Sequence, residues 1–244
     1  PLDGTDTAWL DLCAGPGGKA ALLGALGIQR GASLVANEAA AHRAQLVEGS
    51  LRPLPEGSYA VLTGDGRQIR ETLRAHASEL PGSVEPDQLF DRVMVDVPCS
   101  GLGALRRRPE ARWRKSPRDI AELLPLQRQL LDAAISVTRP GGVIAYVTCS
   151  PHAAETQNIV AEVLESGAVS LLDSAAILRE VALHTEGPNG EPVSVLAGEK
   201  DPGHTPEIKV KKGAPVVNAS ATTAQLWPHV HGTDAMFLAL LRKN

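Results

Sequence analysis

The stretch Ala8-Trp9-Leu10-Asp11-Leu12-Cys13-Ala14-Gly15-Pro16-Gly17-Gly18-Lys19 decides the fold. Its apolar run, Ala8 to Leu12, reads as a buried strand that breaks at a glycine-rich turn, and Lys19 to Leu26 follows with helical spacing. Strand, glycine turn and helix in that order make the first unit of an open parallel sheet, whose ligands bind at the carboxyl ends of the strands. Glycines at such a turn let the backbone approach a ligand closely. Ala20 and Ala21 stand where a third glycine would help to seat a pyrophosphate, and no Gly-Lys-Ser/Thr phosphate loop occurs. The turn therefore suits a ligand with amino-acid and nucleoside parts better than one with phosphates. Taken alone, an ordinary glycine turn is an open alternative.

Outward from this unit the alternation continues. Strands are expected at Ala8 to Leu12, Ser33 to Ala36, Tyr59 to Thr63, Phe90 to Val97 and Val143 to Thr148. Helices are expected at Lys19 to Leu26, Ala39 to Leu51, Arg67 to Ser78, Pro117 to Thr138 and Ala153 to Ser166. Ser116 can cap the fourth helix, Pro117 suits its first position, and Arg139-Pro140-Gly141-Gly142 reads as its stop. The stretch from Glu186 to Thr223 is rich in Gly, Pro, Ser and Thr without periodicity and reads as a long surface excursion, after which Ala235 to Leu241 returns as a last strand. The expected fold is α/β, a mostly parallel seven-stranded sheet with helices on both faces.

Length and composition narrow the function. The 244 residues suffice for one catalytic domain over 1–244, and 43% hydrophobic with 21% charged residues fits neither a disordered nor a membrane chain. No apolar run reaches spanning length, so no membrane partner is expected. Aromatic residues, at 3%, are too few for a broad base-stacking platform. The formal charge is −4, yet Arg106 to Arg118 sets seven basic residues against Glu110 alone. Such a segment on an acidic body suggests one phosphate-contacting edge, although a solvated charged loop explains it as simply. Three cysteines without CxxC spacing point to reduced thiols in the cytoplasm rather than to disulfides or structural zinc. His229, His231 and Asp234 have metal-like spacing but read better as a polar loop, so no metal is expected. The chain begins at Pro1, which suggests a piece of a longer protein.

Further candidates stand at the strand ends. Glu38 closes the second strand, where a carboxylate can accept from both hydroxyls of a ribose, though it could equally be a charge at a helix start. Asp65, in Gly64-Asp65-Gly66, could accept an adenine amino group or simply form an Asp-Gly turn. The fourth strand ends Asp96-Val97-Pro98-Cys99-Ser100 and the fifth Val147-Thr148-Cys149-Ser150-Pro151. A lone small cysteine is more often structural than reactive. Two at matching strand ends suit methylation of a pyrimidine at carbon 5, which becomes nucleophilic only after a thiolate adds to carbon 6. Spacing does not choose between the two thiols.

These segments, together with Ala36-Asn37-Glu38, Gly64-Asp65-Gly66-Arg67, Arg106-Arg107-x-Pro109-Glu110 with Trp113, Arg139-Pro140-Gly141-Gly142, and Leu226-Trp227-Pro228-His229 through Asp234, resemble the Sun/NOP family of RNA cytosine-5 methyltransferases. Within it the resemblance is to the bacterial small-subunit (16S) ribosomal RNA branch, in which a helical NusB-like RNA-binding domain, absent from this chain, precedes the catalytic part. The resemblance implies the class I methyltransferase (Rossmann-like) fold. It implies that Cys13, Ala14, Gly15, Pro16, Gly17, Gly18, Lys19, Glu38, Asp65 and Asp96 surround S-adenosyl-L-methionine, released as S-adenosyl-L-homocysteine. By the same resemblance Cys149 attacks carbon 6, Cys99 assists product release, and Asp96 also contacts the cytosine. Glu38 departs from the aspartate frequent at its position. The RNA partner is expected along Arg106, Arg107, Arg108, Arg112, Arg114 and Lys115, and no obligate protein partner is evident. The rival readings are a nicotinamide-dependent oxidoreductase, disfavoured by the missing glycine and the two thiols, a non-catalytic RNA-binding or assembly factor, and methylation of transfer RNA instead of ribosomal RNA.

Overall fold

Strands and helices alternate through the first half of the chain as the apolar pattern requires. In the computed structural model, which describes residues 6–183 and 222–244, β1 (Ala8–Asp11), α1 (Gly18–Ile28), β2 (Ser33–Glu38), α2 (Ala41–Leu51), β3 (Tyr59–Thr63), α3 (Ile69–Ala75) and β4 (Phe90–Asp96) follow one another. Then come α4 (Ala111–Arg114), α5 (Pro117–Val137), β5 (Thr138–Thr148), α6 (Gln157–Leu164), β6 (Val169–Leu171), α7 (Ser174–Leu183), β7 (Ala224–Gln225), α8 (Pro228–His231) and β8 (Phe237–Lys243). Seven strands lie in the order β3-β2-β1-β4-β5-β8-β6, and the two-residue β7 pairs antiparallel with β8, which makes eight where seven were expected. Two residues are too short a run for an alternating pattern to reveal. β1 is parallel to both neighbours, with Leu10 opposite Val35 of β2 and Val93 of β4. All four residues of β1 are buried, as a strand covered on both faces must be.

Arg139 to Gly142, read from the sequence as a helix stop, belongs instead to β5. α5 does end there, with Thr138 Oγ1 donating to Ala134 O at 2.7 Å, but the chain enters the strand at once. A proline near the start of a strand costs little, since few ladder bonds are made there. The expected helix from Ala153 divides into a turn, Ala153–Glu155, and α6. At the start of α5, Ser116 N and Oγ both donate to Asp119 Oδ2 at 2.7 Å, so the cap is made by the aspartate reaching back rather than by the serine. The excursion from 186 lies outside the described residues as far as 221.

The chain divides into two compact units. One comprises Pro1–Val97, Arg128–Tyr146 and Arg242–Asn244, the other Pro98–Gln127 and Val147–Leu241. In the first, Leu34, Ala36, Val47 and Leu51 pack with Trp9 and Ala20. In the second, Ile159, Val160, Val163, Val169, Phe237, Ala239 and Leu241 are the buried apolar side chains of α6, β6 and β8.

At the amino end of β1, the buried carboxylate of Asp91 accepts from Thr7 N at 2.7 Å, Ala8 N at 2.9 Å and the Arg139 guanidinium. Burial pushes its pKa up, but these backbone donors and Arg139 outweigh burial and hold it below the ordinary aspartate value. Asp91→Ala should lower the unfolding free energy in urea by about 2 to 3 kcal/mol at neutral pH, because it leaves buried donors and an arginine without their acceptor. A folded-state pKa below the unfolded one stabilises above the unfolded value, about 3.9, and that stability is lost as pH falls through the folded value. The difference between wild type and variant should therefore narrow below about pH 4.

Candidate functional site

In the first unit the loop after β1 is fixed by backbone bonds on several sides. Leu12 N donates to Met94 O, Ala14 N to Asn37 O and Gly17 N to Ala14 O, at 2.8 to 2.9 Å. The Asn37 amide donates to Leu12 O and Gly64 O at 3.1 Å, tying the ends of β1 and β3 to that of β2. Gly17 precedes α1 with φ 113, in the left-handed region, and a Cβ there would lie 2.6 Å from Ser50 Oγ and 3.0 Å from Val47 Cα. Backbone conformation and close helix approach both require glycine at this position.

Glu38 is 4% exposed. Its two oxygens accept from Gly15 N and Ala40 N, each at 3.0 Å. Arg43 closes the arrangement, donating to Gly15 O at 2.6 Å and lying 3.6 Å from the Glu38 carboxylate. Lys19 Nζ meets Asp96 Oδ2 at 2.8 Å. Asp11 is fully buried, its Oδ1 3.4 Å from Cys13 N and its Oδ2 without a hydrogen-bond partner. Burial, and after it the Asp96 charge, pushes Asp11 up to about 7. Burial likewise pushes the Cys13 thiol well above the ordinary range, with Asp11 adding to it. Asp65 accepts from Arg67 N at 2.9 Å and pairs with the Arg67 side chain, which holds its carboxyl below the usual range.

In the second unit the structure brings Cys99 and Cys149 together, with Sγ to Sγ 3.3 Å, and both are thiols. The hydrogen bond with Cys149, assisted by Gly101 N, outweighs burial and pulls Cys99 down to about 7. The backbone behind the pair is tight. Gly103 N donates to Cys149 O and Gly103 O accepts from Ala235 N, each at 2.9 Å. A Cβ at Gly103 would meet Ala235 O and come within 2.7 Å of Cys149 O, so only glycine allows this approach.

Sequence reasoning missed a buried carboxylate here. Glu155 accepts from Ser100 N at 2.8 Å, Ser100 Oγ at 2.5 Å, Ser150 Oγ at 2.6 Å and Gln127 Nε2 at 3.0 Å. These donors outweigh burial and hold Glu155 below the usual glutamate range. In sequence it is one acidic residue near the start of a helix, and nothing local distinguishes it from a solvated one.

The basic segment is less uniform than its composition suggests. Arg107 grips Asp234 through Nε, at 2.8 Å to Oδ2, and through Nη2, while Arg106 Nη2 lies 3.5 Å from the same carboxylate. Arg118 pairs with Glu122 at 2.8 Å. Arg108, Arg112, Arg114 and Lys115 are exposed. The Arg112 guanidinium lies 5.5 Å from the ring centre of Trp113, an 82% exposed side chain. His231 Nδ1 accepts from Trp227 N at 2.8 Å. Asp234, three residues further on, is engaged by Arg106 and Arg107.

Comparison with known proteins places the chain. The model of the family described as 16S rRNA methyltransferase RsmB/F matches residues 2–242. A protein of Mycobacterium tuberculosis (strain ATCC 25618 / H37Rv) that carries a methyltransferase name is 47% identical over 243 residues, covering 100% of this chain and 42% of its own length. The ribosomal RNA small subunit methyltransferase B of Enterobacter sp. (strain 638) is 39% identical over 157 residues, 64% of this chain and 33% of that protein. Among solved structures, NSun6 from Pyrococcus horikoshii with SFG shares the fold at TM-score 0.66 and 21% identity, over 98% of this chain and 48% of that one. The chain thus spans about two fifths of the length of the first curated relatives it matches. With nearly every residue inside the family match, and with the motif resemblance borne out, this chain belongs to the 16S rRNA methyltransferase RsmB/F family.

Proposed function

We propose that residues 1–244 are the catalytic part of an S-adenosyl-L-methionine-dependent RNA methyltransferase that methylates carbon 5 of a cytosine in 16S ribosomal RNA through a covalent bond from Cys149 to carbon 6. The observation that carries this reading is the pair of thiols in contact, Sγ to Sγ 3.3 Å. Methylation of an exocyclic amine needs no thiol, whereas carbon 5 needs one to add and a base to leave. The family's name and that of its Enterobacter member supply the ribosomal RNA.

The residues of the loop after β1 fit the cofactor by their chemistry. S-adenosyl-L-methionine carries a sulfonium and an ammonium, and it supplies the methyl group. Asp11, Glu38 and Asp96 gather negative charge around the loop, and Asp11 Oδ2 is a buried acceptor without a donor. Glu38 is the acceptor for the ribose hydroxyls and Asp65 for the adenine, each of them now engaged by the protein's own donors.

At the thiols, Cys149 Sγ adds to carbon 6 as the thiolate, and the electron pair of the 5,6 double bond moves onto carbon 5, which takes the methyl group. The proton that the pair had shared passes to Cys99. Cys99 gives it to water, and the thiolate left behind takes the proton from carbon 5. The double bond re-forms and the bond from carbon 6 to Cys149 Sγ breaks. One methyl cation equivalent enters and one proton leaves.

Three outcomes test this reading. Cys149→Ala should abolish both methyl transfer and adduct, whereas Cys99→Ala should still attack and methylate but stall at elimination, leaving a protein–RNA adduct that survives a denaturing gel. An adduct formed by Cys149→Ala and absent from Cys99→Ala would exchange the roles, and unchanged methylation in both would end the cytosine-5 reading. Glu38→Ala should weaken S-adenosyl-L-methionine binding about tenfold or more by calorimetry, since a charge-assisted bond is lost and Gly15 N is left without its acceptor. Equal affinity would remove Glu38 from the site. For RNA, replacing Arg108, Arg114 and Lys115 together by Ala should reduce the slope of log affinity against log salt by about 2 on a single strand. Identical slopes would take the segment out of the interface.

A further inference from the structure

Glu155 closes the turn Ala153–Glu155 and is 0% exposed. Two of the residues that donate to it sit beside a cysteine in the chain. Ser100 follows Cys99 and reaches Glu155 through both N and Oγ, and Ser150 follows Cys149 and reaches it through Oγ. Gln127, the remaining donor, also gives an amide hydrogen to Pro98 O at 2.9 Å, so the peptide groups on both sides of Cys99 are held. Ser100 Oγ and Ser150 Oγ are themselves 3.4 Å apart, which shows how closely one carboxylate draws the two segments together. A carboxylate has about four lone-pair sites, and here all four meet donors. Resting on the reading of the two thiols as a reactive pair, we propose that Glu155 is a positioning residue: by fastening Ser100 and Ser150 to one carboxylate it holds Cys99 Sγ and Cys149 Sγ at the separation at which they share a proton.

Position and charge predict opposite signs, and this makes the role testable. The charge of Glu155 opposes a thiolate on Cys99, while the Arg107 guanidinium acts on Cys149. If Glu155 acted through its charge alone, neutralising it would make Cys99 easier to ionise. If it acts by position, neutralising it turns an amide hydrogen toward donors, loosens Ser100 and Ser150, and costs Cys99 the hydrogen bond from Cys149 that stabilises its thiolate.

The experiment follows alkylation of Cys99 by iodoacetamide across pH, resolved from Cys13 and Cys149 by peptide mass spectrometry, in wild type and Glu155→Gln, with folding checked by circular dichroism. In wild type the rate should rise with pH and level off above about 7. In Glu155→Gln the midpoint of the rise should move up by about one pH unit, so that alkylation at pH 7 falls about fivefold. A profile that is unchanged, or shifted to lower pH, in a folded variant overturns the proposal. Ser150→Ala removes a single donor and carries the same test should Glu155→Gln not fold. Its profile should move in the same direction by about threefold in rate at pH 7, and an unmoved profile overturns the proposal equally. Alkylation needs no RNA, so the two readings fail separately. A shifted profile in a protein whose wild type methylates no cytosine would leave the positioning role standing and end the cytosine-5 reading, whereas an unshifted profile in an active methyltransferase would end the positioning role alone.

Discussion

A carboxylate taken out of water must be met by hydrogen-bond donors, and in this protein the donors that meet it are largely backbone N–H groups of the loops beside the strands. Glu38 takes Gly15 N and Ala40 N, Asp91 takes Thr7 N and Ala8 N, and Glu155 takes Ser100 N. A parallel strand ends with N–H groups that no neighbouring strand satisfies, so an acceptor placed there both fills a need and fixes the loop. One side chain thereby determines the path of several residues. The loops that carry the candidate chemistry, Cys13 to Lys19 and Pro98 to Gly103, each have a backbone N–H held in this way.

Asp11 breaks the pattern. It is as buried as the others, but one of its oxygens has no donor and its pKa rises toward neutrality instead of falling. The difference lies in what faces it: the nearby Asp96 charge pushes in the same direction as burial, and Cys13 N at 3.4 Å offsets little of either. An unsatisfied buried acceptor costs about 1 to 3 kcal/mol. That cost sits in a loop whose neighbouring backbone groups are otherwise bonded.

The part of the fold legible in the sequence is the part made by local pattern. β1, α1 and the turn between them follow from one apolar run and its glycines, and α5 from Pro117 and its apolar spacing, because in each case neighbours in sequence are neighbours in space. β6 and β7 are too short to show a period, and β5 begins inside Arg139 to Gly142, which by composition is a stop. What holds that strand start is Asp91, 48 residues away. The site divides similarly. Cys99, Cys149 and Glu38 were readable because each closes a strand. Glu155 was not, because its donors Ser100 and Gln127 lie 55 and 28 residues away along the chain, and the pairing of Asp234 with Arg107 was hidden in the same way, 127 residues apart.

The same distinction bears on the basic segment. Composition treats its seven positive charges as equivalent, but Arg106 and Arg107 share a carboxylate that is 11% exposed, whereas Arg108, Arg114 and Lys115 stand in solvent. An arginine gripping a nearly buried aspartate through two nitrogens would have to give up that pairing to reach a phosphate, so its net gain from the phosphate is small. Its stronger effect is local: it anchors Asp234, the residue before Ala235, whose N–H bonds to Gly103 O while Gly103 N bonds to Cys149 O. Charge that looks like a nucleic-acid surface in the sequence is thus divided in the folded chain. Arg107 is built into the backing of the thiol pair, and Arg108, Arg114 and Lys115 stand exposed.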